Sequence, residues 1–63
     1  MTNDEFHALQ RGDRLRKLDW PAGKTVTVAR ARAPFVQFVL QEGLPQGMHL
    51  SEIAEWEVIN DVR

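Results

Sequence analysis

From Gly12 onward the apolar residues of this chain recur at every second position, and turn residues interrupt them every few positions. That pattern confines the fold, because period-two alternation marks half-buried strands and short alternating runs between Gly, Pro and Asp belong to small antiparallel sheets. In Arg14–Leu18, Arg14, Arg16 and Leu18 point one way and Leu15 and Lys17 the other. Asp19-Trp20-Pro21-Ala22-Gly23 is turn chemistry, since Pro presets one backbone angle and Gly admits another. Lys24–Ala33 is a long extended segment with Val26 and Val28 on one face and Thr25, Thr27, Ala29 and Ala31 on the other. Arg30 and Arg32 continue the Val26 side, so the apolar face changes near Ala29, which predicts a bulge or bend there.

Ala33-Pro34 is a turn or an edge, and Phe35–Leu40 is the most strand-like run, rich in aromatic and β-branched residues. It is apolar at almost every position, which predicts burial on one face and a further contact on the other. A Gly- and Pro-containing loop, Glu42–Gly47, leads to a short strand, Met48-His49-Leu50. Ser51-Glu52-Ile53-Ala54 reads as one helical turn opened by the Ser51 hydroxyl. Trp56–Ile59 is the last strand. Before all of this, Thr2-Asn3-Asp4-Glu5 has the form of a capping box, predicting helical turns over residues 3–10 with Phe6 and Leu9 on one face. Gly12 ends that segment.

The expected fold is therefore mainly β, a five-stranded small barrel with a short amino-terminal helix and a single helical turn before the last strand. One domain spans residues 1–63, with the helix in 1–11, the barrel in 12–60 and a tail in 61–63. Closing the sheet removes edges that a small sheet cannot otherwise protect. The core is expected to take Leu15, Val26, Val28, Val36, Phe38, Leu50, Ile53 and Val58. A bent, open antiparallel sheet with the helix packed on it is the alternative.

Size limits what such a core contributes. A chain of 63 residues buries about 60% of the surface that it exposes when unfolded, and its net stability is on the order of 3–5 kcal/mol. There is no cysteine, so neither a disulfide nor a thiolate metal site adds to it. Self-association is one way to extend the core. The apolar runs are too short for a transmembrane helix, and the first residues are polar and acidic, unlike a signal peptide, so no membrane contact and a cytoplasmic location are expected.

The order of elements over Gly12–Asn60 resembles an SH3-like small barrel, on Gly12-Asp13-Arg14-Leu15 at the mouth of the first strand and Leu50–Ile59 at the end. A Gly-Asp pair opening a strand is similar to that in KOW-type modules of transcription and translation proteins. Gly12-Asp13-Arg14-Leu15-Arg16-Lys17 and Glu57-Val58-Ile59-Asn60 also resemble the plasmid-borne type II dihydrofolate reductases, at a similar separation. Those are SH3-like barrels that assemble as tetramers round one active-site pore, so the resemblance implies the fold, oligomerisation and, as one reading, an oligomeric reductase. In that family a Val-Gln-Ile-Tyr segment lines the pore; the matching stretch here is Met48-His49-Leu50-Ser51.

The residues that could carry chemistry are few. His7 and His49 are the only histidines and lack a partner at metal-ligand spacing, so surface histidines are the plain reading. Ser51 has no base beside it in a nucleophile motif, and Glu55 and Glu57 flank Trp56 as a solvated strand face would. Gly43 and Gly47 do not have the spacing of a phosphate loop. No catalytic residue, cofactor or metal is therefore expected.

Charge is more informative. The net charge is −1, yet residues 1–33 carry +3 and residues 34–63 carry −4. Arg14 and Arg16 share one strand face and Arg30 and Arg32 another. If the first two strands pair, the four arginines form one basic patch with Lys17 and Lys24 at its rim, suited to nucleic acid. Trp20 is the expected stacking aromatic. Trp20, Phe35 and Trp56 are also candidate anchors for a protein partner. The function expected is a non-enzymatic binding module that contacts a protein or a second copy of itself, of the accessory or inhibitor kind found in phages and mobile elements. A nucleic-acid-binding barrel using Arg14, Arg16, Lys17, Arg30 and Arg32 is the alternative.

Overall fold

A computed structural model describes residues 1–59. Asn60, expected at the end of the barrel, and the expected tail 61–63 lie outside the described residues. The chain runs α1 (Asn3–His7), β1 (Arg14–Lys17), β2 (Val26–Arg32), β3 (Phe35–Phe38), β4 (Gly47–His49), a 3-10 turn (Leu50–Glu55) and β5 (Trp56–Ile59).

Both halves of the capping box form. The Glu5 amide donates to Thr2 Oγ1 at 3.1 Å and the Thr2 amide to Glu5 Oε1 at 2.9 Å. The helix is shorter than the expected 3–10, with Ala8 as its carboxyl cap, yet Phe6 and Leu9 are both buried against the sheet. Gly12 then turns the chain at φ 96°, and its amide bonds the Val28 carbonyl.

The five strands form one antiparallel sheet in the order β4-β3-β2-β1-β5. β1 pairs with β5 over its whole length, from Arg14↔Ile59 to Lys17↔Trp56, but with β2 only at Arg14↔Thr27 and Leu15↔Val26. The other half of β2 pairs with β3, and the register shifts between Val28↔Phe38 and Arg30↔Gln37. Ala29 is the extra residue of this bulge. It changes the phase of the strand, so that Val28 faces inward and Arg30 and Arg32 face outward, as the sequence pattern predicts. Among the described residues β4 and β5 share no ladder; the 3-10 turn spans the distance between them.

The core is Phe6, Leu9, Leu15, Val26, Val28, Val36, Phe38, Met48 and Trp56. Five of these were expected. Leu50, Ile53 and Val58 pack against the cluster but stay half-buried, because the 3-10 turn and β5 lie at its rim. Their places are taken by Met48, Trp56, Phe6 of the helix and Leu9 just after it. Trp56 is 2% exposed and meets Trp20 edge-on at 5.3 Å and Phe38 at 5.2 Å. The 3-10 turn is capped by His49 rather than Ser51. The Ser51 amide donates to His49 Nδ1 at 3.1 Å, and the His49 amide donates to Glu52 Oε2 at 2.7 Å. Among the described residues no helix is long and apolar enough to cross a membrane.

Candidate functional site

The cations near β1 are engaged within the chain. Arg16 Nε donates to Glu57 Oε1 at 2.8 Å, and Arg16 Nη1 donates to the Trp20 carbonyl at 2.8 Å. Arg16↔Glu57 is a register pair, so the two side chains leave the same face of neighbouring strands. The Lys17 ammonium lies 5.8 Å from the Trp56 ring centre and the Lys24 ammonium 4.7 Å from that of Trp20. Arg14 Nη2 donates to Thr25 Oγ1 at 3.3 Å. These groups hold the 19–23 turn down over Trp56.

The β2–β3 hairpin is different. Every residue from Ala29 to Phe35 is exposed. The register Arg32↔Phe35↔His49 makes one row across β2, β3 and β4, and Arg30↔Gln37↔Gly47 makes the next. Directly opposed residues of antiparallel strands emerge on the same side. The inward row between them is Ala31↔Val36↔Met48, with Val36 and Met48 buried. The outer face thus carries Arg30, Arg32, Phe35, Gln37 and His49. Phe35 is 58% exposed and its ring meets the His49 imidazole edge-on at 4.9 Å. Among the described residues no hydrogen bond or ion pair engages Arg30 or Arg32.

Phe35 divides this face into two grooves. One, of about 310 Å³, is lined by Arg30, Arg32, Pro34, Phe35 and Gln37. The other, of about 370 Å³, runs past Phe35, Gln46, Gly47 and His49 to Glu52. Gly47 lines it and admits no side chain: a β-carbon there would stand 2.5 Å from the Val36 carbonyl oxygen. His49 is oriented from below. Its Nδ1 accepts from the Ser51 amide and lies 3.0 Å from Ser51 Oγ, which puts the ring proton on Nε2 when the imidazole is neutral.

The structure separates what the sequence pattern grouped. Arg14 stands opposite Thr27 and Arg16 opposite Glu57, whereas Arg30 and Arg32 lie beyond the bulge opposite Gln37 and Phe35, so the two pairs of arginines have different strand neighbours. Of the three aromatic anchors, Trp56 is in the core, Trp20 is half-buried against it, and Phe35 alone is exposed. Gln37 and His49 join the face although nothing in their local pattern singles them out; the ladder register places them there. In the stretch matching the reductase pore segment, Met48 is buried, His49 is tied to the 3-10 turn and Leu50 is half-buried. Among the described residues no group of three or more His, Cys, Asp or Glu side chains could hold a metal ion. No protein-family model, curated protein or solved structure matches this chain.

Proposed function

We propose that this chain is a non-enzymatic binding module that contacts another macromolecule through the outer face of β2, β3 and β4. One observation carries the reading: the bulge at Ala29 turns Arg30 and Arg32 outward beside the exposed ring of Phe35, and among the described residues those two cations have no hydrogen-bond or ion-pair partner. Arg and aromatic side chains are the residue types that dominate contact energies. The strand order, with a single 3-10 turn between the last two strands, supports the likeness to SH3-like barrels. A small domain with an exposed aromatic-basic face suits an accessory or inhibitor protein of a phage or mobile element, working in the cytoplasm. The reductase-like reading has less support, because the residues at the pore-segment positions are core and capping groups here.

The test is comparative capture from a lysate of the source cell. Wild type, Phe35→Ala, Arg30→Glu with Arg32→Glu, and Arg14→Glu are immobilised in parallel, each first shown to be folded by circular dichroism. A protein or nucleic acid held by wild type and Arg14→Glu but lost from the two hairpin variants supports this face. Equal retention by all four, or loss only with Arg14→Glu, overturns it.

A further inference from the structure

We infer that the occupant of this face is a single strand of nucleic acid, with Arg30 and Arg32 on its phosphates and Phe35 under a base. The inference rests on the contact face proposed above and names its partner.

Arg30 and Arg32 are two residues apart on one side of an extended strand, hence separated by about 6.6 Å along β2. Each guanidinium presents a planar fork of donors that matches phosphate oxygens in pairs. Phe35 is the register partner of Arg32, so its ring emerges about 5 Å to one side of that cation. A backbone running along β2 therefore brings phosphates to the two arginines while a base swings onto Phe35. Gln37, opposite Arg30, adds an amide with both donor and acceptor at the adjoining position.

Charge selects the same ligand. From Trp20 to Gln41 the chain has Lys24, Arg30 and Arg32 and no carboxylate. The carboxylate that edges this face, Glu52, lies past His49, where it accepts from the His49 amide. The protein as a whole is slightly acidic, so attraction of a polyanion has to be local, and here it is. An acidic peptide would satisfy the arginines but stacks on Phe35 only where it happens to place an aromatic residue, whereas every nucleotide carries a flat π-face. Duplex DNA offers phosphates but keeps its bases stacked inside. A single strand offers both, and stacking on an exposed aromatic ring tolerates any base.

Fluorescence anisotropy of a fluorescein-labelled oligodeoxythymidine, about 15 nucleotides long, tests this with the full chain. Wild type is expected to saturate the probe with a Kd on the order of 10⁻⁴–10⁻⁶ M. Two phosphate contacts predict that log K falls with log salt at a slope of about −1.4. Phe35→Ala weakens binding roughly 5- to 100-fold and leaves the slope in place. Arg30→Gln with Arg32→Gln flattens the slope, while Arg14→Gln changes neither. No anisotropy change at low salt overturns the inference, as does full binding by Phe35→Ala or an equal loss with Arg14→Gln. Sedimentation of the same proteins, together with the capture comparison, separates the two readings. A protein partner or a self-association lost with Phe35→Ala, alongside an unbound oligonucleotide, ends this inference and leaves the contact face standing; loss of both ends both.

Discussion

The chain contains Arg-x-Arg twice, as Arg14-Leu15-Arg16 in β1 and Arg30-Ala31-Arg32 in β2. In β1 the second arginine reaches Glu57 and the Trp20 carbonyl, and the neighbouring lysines lie over indole rings. In β2 both arginines stand clear of every described acid. The difference comes from what lies beside each strand. β1 runs between β2 and β5, and β5 supplies a carboxylate in register. The far half of β2 has β3 beside it, whose outer residues are Phe35 and Gln37. The same local motif is therefore tied into the fold in one place and exposed without a partner among the described residues in the other, and the sheet order decides which.

The largest test of this contrast uses the two aromatic residues that differ most in burial. Trp56→Ala removes an indole packed against Trp20 and Phe38, at a cost of about 3–5 kcal/mol. That is comparable to the whole stability expected of so small a core, so the variant should be unfolded by circular dichroism at 25 °C. Phe35→Ala should stay within about 0.5 kcal/mol of wild type in urea. A Phe35→Ala variant as unstable as Trp56→Ala would make the hairpin part of the core and end the distinction. Trp56→Phe should cost less than Trp56→Ala, since the indole Nε1 is buried without a hydrogen-bond partner.

A smaller effect is expected at Gly47, where the face and the core share a backbone. Its added β-carbon in Gly47→Ala would press on the Val36 carbonyl, and β4 would have to move away from β3. Overpacking of this kind costs about 1–3 kcal/mol, read as a lower urea midpoint. Unchanged stability would mean that β4 yields easily and that the groove beside Phe35 is not a fixed shape.

Substituting the matched arginines comes next. Arg16→Gln removes a charge-assisted bond to Glu57 and a donor to the Trp20 carbonyl in a half-buried setting, for about 1 kcal/mol. Arg32→Gln removes no bond to any described residue and should fall within about 0.5 kcal/mol of wild type. Equal losses in urea would show that the hairpin arginine has a structural partner after all.

These contrasts also mark how far the sequence could be read. The capping box of Thr2 and Glu5, the succession of five strands and the phase change at Ala29 are local patterns, and local patterns survive into the fold. What requires knowing which strands are neighbours did not follow from them. What flanks each arginine depends on pairing: Arg14 stands opposite Thr27, and Arg30 and Arg32 stand opposite Gln37 and Phe35. Trp56 alternates with Glu55 and Glu57 and shares a strand face with Val58, which is a local sign of burial; its contacts with Trp20 and Phe38 depend on strand pairing. Of the site, Arg30, Arg32 and Phe35 could be named from the residues, whereas their meeting on one face, with Gln37 and His49 beside them, is a property of register.

His49 belongs to both regions, and the smallest expected effect separates its two tasks. Its Nδ1 caps the 3-10 turn through the Ser51 amide, while its ring lies edge-on to Phe35. Loss of a side-chain cap costs about 0.5–2 kcal/mol, and a short, exposed 3-10 segment places His49→Ala at the lower end of that range. Asparagine is a good capping residue, so His49→Asn should regain most of the loss in urea while leaving no imidazole against Phe35. If the ring serves the face, His49→Asn unfolds like wild type but binds the oligonucleotide probe with altered affinity. If stability and binding both return with asparagine, the imidazole has no task beyond the cap, and the face reduces to Arg30, Arg32, Phe35 and Gln37.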